Sequence, residues 1–399
     1  MSSESSADPI VIVAAKRTPM GGFQGALAGA TATELGAAAI SAALGQAGLH
    51  AEDVDQGIMG CVLPAGQGQA PARQALLGAG LPESVGAATV NKMCGSGMKA
   101  VMDAHDQIYA GSARIMVAGG MESMTNAPYL LPKARGGYRM GHGEVKDHMF
   151  LDGLEDAYEP GRLMGTFAED CAQHYQFTRD AQDAYAIRSL ERANAAIEGG
   201  DFADEVVPVT VADRRGESVV ETDEQPGKAR PDKIPQLKPA FRKDGTVTAA
   251  NASSISDGAA ALILMKESEA AERGVAPLAR IHAHATHAQA PAWFTTAPIE
   301  ACRKVLDRAG WSKDEVDLWE INEAFAVVAM AAIRELGLDE DRVNVNGGAC
   351  ALGHPIGASG ARILVTLLHA LKARGETRGV ASLCIGGGEA TAMAVELLS

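Results

Sequence analysis

Aromatic side chains make up only 4% of the 399 residues, so a core here has to be assembled from Ala, Val, Leu and Ile, as in large α/β enzymes. Long hydrophobic runs are also missing: none reaches the about 18 residues that a membrane helix needs, which argues against a membrane protein. Positive charge is scarce. The formal net charge is -15, and a general nucleic-acid binder needs a basic face, so that class is set aside and an anionic substrate would need a local basic patch. There is no Cys-x-x-Cys pair: Cys61, Cys94, Cys171, Cys302, Cys350 and Cys384 are scattered, the pattern of reduced thiols in a cytoplasmic compartment and not of a disulfide framework. Residues 1–9 are Ser-rich and acidic, with neither the basic nor the apolar stretch of a secretory signal, and read as a frayed tail. The ending Glu396-Leu397-Leu398-Ser399 is not a peroxisomal-type address.

What is present is an alternation of strand and helix. Length alone suggests about two to three domains. A β-type run over 9–15 leads through a Gly-rich loop to a helix over about 33–48, capped by Thr31 or Thr33 with Glu34 in its first turn. Ala47-Gly48-Leu49-His50-Ala51-Glu52-Asp53-Val54-Asp55 then enters a strand over 57–62. Ala309-Gly310-Trp311-Ser312-Lys313-Asp314-Glu315-Val316-Asp317 repeats that pattern 262 residues later, after a helix over 298–308 and before a strand over 318–321. At an offset of 263, Gly95-Ser96-Gly97 falls on Ala358-Ser359-Gly360, each opening a helix that leads to a strand ending in glycines, over 115–120 and 380–388. Two matches at nearly one offset indicate a duplicated unit. The alternation implies a mostly parallel sheet covered by helices, with the active loops of the two halves face to face.

Between the halves the pattern breaks. Residues 129–148 are rich in Gly, Lys, Arg and His, residues 167–198 look helical, and residues 225–239 are rich in Pro and Lys. The expected organisation is a first half over 1–122 and 249–275, an inserted loop domain over 123–248, and a second half over 276–399. Long irregular segments of this kind are usually functional or interfacial.

The chemistry centres on Cys94, in Asn91-Lys92-Met93-Cys94-Gly95-Ser96-Gly97 between a β-prone run and a helix. A thiol at a helix N-terminus meets unpaired N–H groups that favour the thiolate. His354, before Pro355 in a Gly-flanked loop repeat-related to the Cys94 loop, is a natural base for it. Cys384 ends a strand before Gly386-Gly387-Gly388, where a second thiol could exchange protons and glycine N–H groups could bind an oxyanion. Asn322, at a strand-to-helix junction, could hold a water or donate to an oxyanion, although a helix cap would need no function.

These stretches, with Gly119-Gly120-Met121-Glu122-Ser123-Met124, Asn251-Ala252-Ser253 and Asn322-Glu323-Ala324-Phe325, together resemble the thiolases, in register from about Ile10 to the C-terminus, and most closely the bacterial acetyl-CoA acetyltransferases among them. The resemblance implies an α/β duplicated thiolase fold: two related βαβαβαββ halves packed face to face, with an inserted loop domain. It implies reversible condensation of two acetyl-CoA to acetoacetyl-CoA and CoA, with 3-ketoacyl-CoA as substrate in reverse, and no cofactor or metal. Cys94 would carry the acyl group, His354 would activate it, and Cys384 would move the α-proton. His354 and a water on Asn322 would stabilise the enolate, and the N–H groups of Cys94 and Gly386 the acyl oxyanion. Ser253 would lie near the pantetheine, with Leu154, Met164, Phe241, Ala324 and Phe325 lining its channel. Members are commonly homodimers or homotetramers.

Three departures from the family pattern stand out. Arg162-Leu163-Met164-Gly165 has Leu where many short-chain members have His; Glu389-Ala390 follows the glycine run; and the usual CoA-phosphate Arg is absent, leaving Lys228 and Arg230 as replacement contacts. The alternatives are a broader-chain 3-ketoacyl-CoA thiolase of fatty-acid breakdown and a catalytically inactive scaffold paralogue. Decarboxylating ketoacyl synthases, which pair their Cys with two His or with His and Asn, are disfavoured by Cys384. His282, His284 and His287 invite a metal reading, weakened because no carboxylate or thiol accompanies them in sequence.

Overall fold

The structure, a computed structural model, describes residues 8–213 and 216–398. Most of the N-terminal tail and Ser399 lie outside the described residues. Nine strands form the body of one large sheet: β1 (Ile10–Arg17), β2 (Gln56–Gly60), β3 (Gly86–Val90), β4 (Ile115–Ser123), β5 (Ser256–Lys266), β6 (Ala279–Ala288), β7 (Leu318–Ile321), β8 (Arg378–Ile385) and β9 (Glu389–Leu397). Their order is β7-β8-β9-β6-β1-β5-β4-β2-β3. The two halves join where β1 pairs antiparallel with β6, Val11 opposite Arg280 and Ile12 opposite Ala279.

The principal helices are α1 (Ala32–Ala47), α2 (Pro71–Gly78), α3 (Ser96–Tyr109), α4 (Met164–Tyr175), α5 (Arg179–Gly199), α6 (Ala297–Ala309), α7 (Ala326–Leu336) and α8 (Ser359–Arg374). Thr31 caps α1 in a capping box with Glu34. The repeat read from the sequence has a conformational counterpart: α1 and α6 both end on a left-handed glycine, Gly48 and Gly310, followed by a single 3-10 turn and a strand.

Two expectations need correction. The sheet is mixed and not mostly parallel: β2 runs parallel to β3 and β4, and β7 to β8, while β4, β5, β1, β6, β9 and β8 are antiparallel neighbours. The reason is local at β8–β9, where the turn 386–388 is too short for a parallel crossover. The helical run over 167–198 is two helices, because Gln176 ends α4 in the left-handed region and Thr178 caps α5.

Side-chain alternation along the strands places the layers. On β5, Ala260, Leu262 and Leu264 face one core while Ala261, Ile263 and Met265 face another. The first core is central: α3 and α8 lie between the halves, packed on apolar residues of β1, β4 and β5 from one and β6, β8 and β9 from the other. The outer faces carry α1 and α2 on the first half, α6 and α7 on the second. The halves therefore pack face to face around two helices, and α8 is buried from Ser359 to Leu371 on all sides, its polar Arg362, Thr366 and His369 included.

The central helices touch backbone to backbone at their first turns. A Cβ on Gly97 would lie 2.8 Å from the amide nitrogen of Ala361, and one on Gly360 would lie 2.4 Å from that of Met98. A Cβ on Gly120 would sit 2.1 Å from the carbonyl of Gly357. Each clash is with backbone, so no side-chain rotation relieves it. Gly360→Ala is expected to cost about 1–3 kcal/mol through overpacking and to abolish most activity. Thermal denaturation with a parallel activity assay checks it, and an unchanged melting temperature and rate would contradict the tight contact.

Candidate active site

The same close approach sets the loops that precede the two helices side by side. Cys94 lies in a turn closed by Gly95 N–H to Lys92 O at 3.0 Å and Ser96 N–H to Met93 O at 2.9 Å, while Lys92 N–H donates to Ser96 Oγ at 2.8 Å. Met93 takes φ +46, an uncommon left-handed conformation for a non-glycine residue, held because Asn91 Oδ1 accepts from its N–H at 2.9 Å. Lys92 forms a salt bridge with Glu389, tying the nucleophile turn to the hairpin that carries Cys384. That pair gives the Glu389 departure a structural role.

Burial pushes the Cys94 thiol up to about 11; the N–H groups of Gly386 and of Cys94 itself pull in the opposite direction without overcoming it. The helix N-terminal donors that favour the thiolate are present, and desolvation outweighs them. Cys384 is fully buried, where Cys94 is half-buried, and is raised well above the usual thiol range by that burial, with Cys94 adding to the effect. Burial, reinforced by the Arg362 guanidinium, depresses His354 to about 3, so its imidazole is neutral at physiological pH.

The tautomer of His354 follows from one hydroxyl. Ser359 Oγ donates its proton to Pro355 O at 2.9 Å, so toward His354 Nδ1, 2.6 Å away, it acts as acceptor. The proton is on Nδ1, and Nε2, which has no hydrogen-bond partner, is left as the base. Ser359 was visible in the sequence only as part of the repeated tripeptide. Glu122 has a role that the sequence does not signal: its buried carboxyl group, raised to about 7 by desolvation, accepts from the N–H groups of Val62, Leu63 and Gly357, lacing the first half to the His354 loop.

Cys94, His354, Cys384 and Gly386 share one largely apolar cavity of about 380 Å³, and Leu154, Met164, Phe241, Ser253, Ala324 and Phe325 line it too. Inserted elements supply one wall, where the Phe241 and Phe325 rings meet edge to face at 6.0 Å. Leu163 also lines the cavity, whereas Arg162 turns away to Glu159 and Asp170 and stacks 3.7 Å over Phe167. Asn322 is not among the residues that line the cavity: it is buried, its Oδ1 accepts from Arg362 at 3.4 Å and its Nδ2 has no partner. Nor is it a cap, since Phe325 precedes α7.

Lys228 and Arg230 fall in a neighbouring depression that adjoins the cavity at Ala249 and Ser254. Lys228 is already engaged by Glu224, so it is not the free cation the sequence suggested. The three histidines of β6 do not converge either. His282 meets Glu396 at 2.8 Å, His287 meets Gln289 and Lys304, and only His284 joins a cluster, with His105 and Asp106 of α3.

A half-buried thiol, an oriented neutral imidazole and a second, buried thiol in one cavity define the site of an acyltransferase. A family model described as the thiolase N-terminal domain matches residues 10–268, and one described as the thiolase C-terminal domain matches residues 275–397. The chain belongs to the thiolase family. It is 53% identical over 386 residues to an acetyl-CoA acetyltransferase of Pseudomonas aeruginosa, covering 96% of this chain and 98% of that one. The enzyme of the same description from Escherichia coli is 52% identical over 391 residues, covering 98% and 99%. The crystal structure of the Bacillus anthracis acetyl-CoA acetyltransferase superposes with a TM-score of 0.95 at 44% identity, covering 98% of this chain and 99% of that one.

Because the Cys94 thiol is raised, its thiolate is scarce at neutrality and grows as pH rises. Alkylation of Cys94 by iodoacetamide in the absence of substrate, mapped by peptide mass spectrometry, is expected to keep accelerating beyond about pH 9. A plateau at or below neutrality would show a resting ion pair instead.

Proposed function

We propose that this chain is an acetyl-CoA C-acetyltransferase that catalyses reversible condensation of two acetyl-CoA through an acyl-thioester on Cys94. The observation that carries the reading is the convergence of Cys94, His354 and Cys384 on one cavity beside the Gly386 N–H. His354 Nε2 takes the Cys94 proton as the sulfur attacks the acetyl carbonyl, and the N–H groups of Cys94 and Gly386 hold the oxyanion. Coupling proton transfer to attack suits a thiol that is neutral at rest. As the carbonyl re-forms, the CoA thiolate leaves and takes the proton of Cys384.

The second acetyl-CoA then gives its α-proton to the Cys384 thiolate. The high proton affinity of this buried sulfur matches a weak carbon acid. His354, now protonated, and a water held by Asn322 Nδ2 stabilise the enolate oxygen. The enolate carbon attacks acetyl-Cys94, acetoacetyl-CoA is released, and the expelled Cys94 sulfur recovers its proton from His354. Both thiols and the imidazole end as they began.

The apolar lining suits pantetheine, and Arg230 in the adjoining depression is the cation we assign to the CoA phosphates, in preference to Lys228. The free thiols support a reducing, cytoplasmic compartment; among the described residues no helix is long and apolar enough to cross a membrane. The exposed edge strand β3 supports pairing with a second copy in a homodimer or homotetramer. A broader-chain 3-ketoacyl-CoA thiolase is the second reading, favoured by Leu163 on the cavity wall.

Steady-state thiolysis across 3-ketoacyl-CoA chain lengths, with condensation of acetyl-CoA in parallel, separates the two. The first reading predicts a steep fall beyond the acetoacetyl substrate, and a flat profile would establish the second. In the same assays Arg230→Ala is expected to raise the KM for CoA substrates with kcat little changed; an unchanged KM would remove Arg230 from the phosphate site.

A further inference from the structure

We propose that His105, Asp106 and His284 form a mononuclear divalent-cation site of the type that takes Zn²⁺, at the far end of α3 from the catalytic turn. Three ligand atoms from two elements converge: His284 Nε2 lies 2.9 Å from Asp106 Oδ1 and 3.3 Å from His105 Nδ1, and those two atoms are 3.0 Å apart. Tetrahedral Zn²⁺ with bonds of about 2.0–2.1 Å to imidazole nitrogen holds neighbouring ligands about 3.3 Å apart. The triangle thus already has nearly the dimensions of one face of that tetrahedron, and a small outward movement of the carboxylate completes it.

The donor chemistry agrees. Two imidazoles and one carboxylate suit Zn²⁺, Co²⁺ or Ni²⁺ and suit Ca²⁺ or Mg²⁺ poorly. The His105 and His284 rings are 4.9 Å apart and nearly perpendicular, so they do not stack on one another. The site is partly sheltered and open on one side: the side chains of His105, His284 and Asp106 are 19%, 16% and 58% exposed, leaving a fourth position for water. Lys99, the nearest cation on α3, is engaged by Asp103.

The site joins α3 to β6, one element from each half. His105 stands nine residues after Ser96, about 13.5 Å along the helix at 1.5 Å per residue, so a bound ion would brace the helix behind Cys94 without entering the cavity. This inference is independent of the acetyl-CoA reading.

The test uses the full-length protein dialysed against chelator and titrated with Co²⁺. One equivalent per chain, with the intense visible absorption of a tetrahedral nitrogen–oxygen site, and displacement by Zn²⁺ are expected. Free cysteines give a competing signal, recognisable by sulfur-to-cobalt charge-transfer bands in the near ultraviolet, so the readout is the nitrogen–oxygen spectrum. Asp106→Asn, at an exposed position that tolerates the change, and His284→Ala are expected to weaken binding by more than about tenfold, while His282→Ala, whose partner is Glu396, leaves it intact. Absence of binding, a purely thiolate spectrum, or affinity unchanged in Asp106→Asn would each overturn the proposal and leave three groups that only hydrogen-bond to one another.

Discussion

The contact between the backbones of α3 and α8 at Gly97 and Gly360 is the constraint on which the site depends. Two helices that touch at their first turns force the loops before them into one place, and those loops carry Cys94 and His354. Duplication makes this economical: one strand–loop–helix unit, used twice and packed face to face, delivers a thiol from one copy and an imidazole from the other. Gly120 against Gly357 and Glu122 against the Gly357 N–H hold the same junction from the sheet side.

Burial is the second organising effect, and it works against charge. Both thiols are pushed up and the imidazole down, so the resting site holds three neutral groups in a cavity with little water-like polarity. Charge develops only when substrate is bound, beside N–H donors already in position, which is where a preorganised site gains most. Ser359 completes the arrangement by fixing which imidazole nitrogen carries the proton. A residue of this kind touches no substrate, yet without it Nε2 is a base for only part of the time.

Much of this was legible in the sequence, because the duplicated pattern carries its own internal check. The offset near 263 relates the Cys94 and His354 loops from the residues alone, and the strand ending in Cys384 reads clearly against its glycines. Contacts across long sequence separations were not legible. Gly97 and Gly360 each read as a local loop signal, although their purpose is to let one helix approach another. Lys228 is a different case: Glu224 stands only four residues before it, and the pairing was hidden because Pro226 and Gly227 obscure the short helical turn that brings the two side chains together. The isolated histidines of β6 lacked a carboxylate in sequence because Asp106 and Glu396 come from other elements. The balance at the Cys94 thiol was not legible for a related reason: the donors of a helix N-terminus can be read from residues, but the desolvation that outweighs them cannot.

The central claim is a division of labour between two thiols in one cavity, and the acylation state of Cys94 tests it most directly. Cys384→Ala and Cys94→Ala are each mixed with acetyl-CoA, quenched, and mapped by peptide mass spectrometry, with condensation measured alongside. The account predicts an acetyl group on Cys94 in Cys384→Ala without acetoacetyl-CoA formation, and neither adduct nor product in Cys94→Ala. Condensation persisting in Cys384→Ala, or an acetyl group carried by another residue in Cys94→Ala with turnover retained, would contradict it.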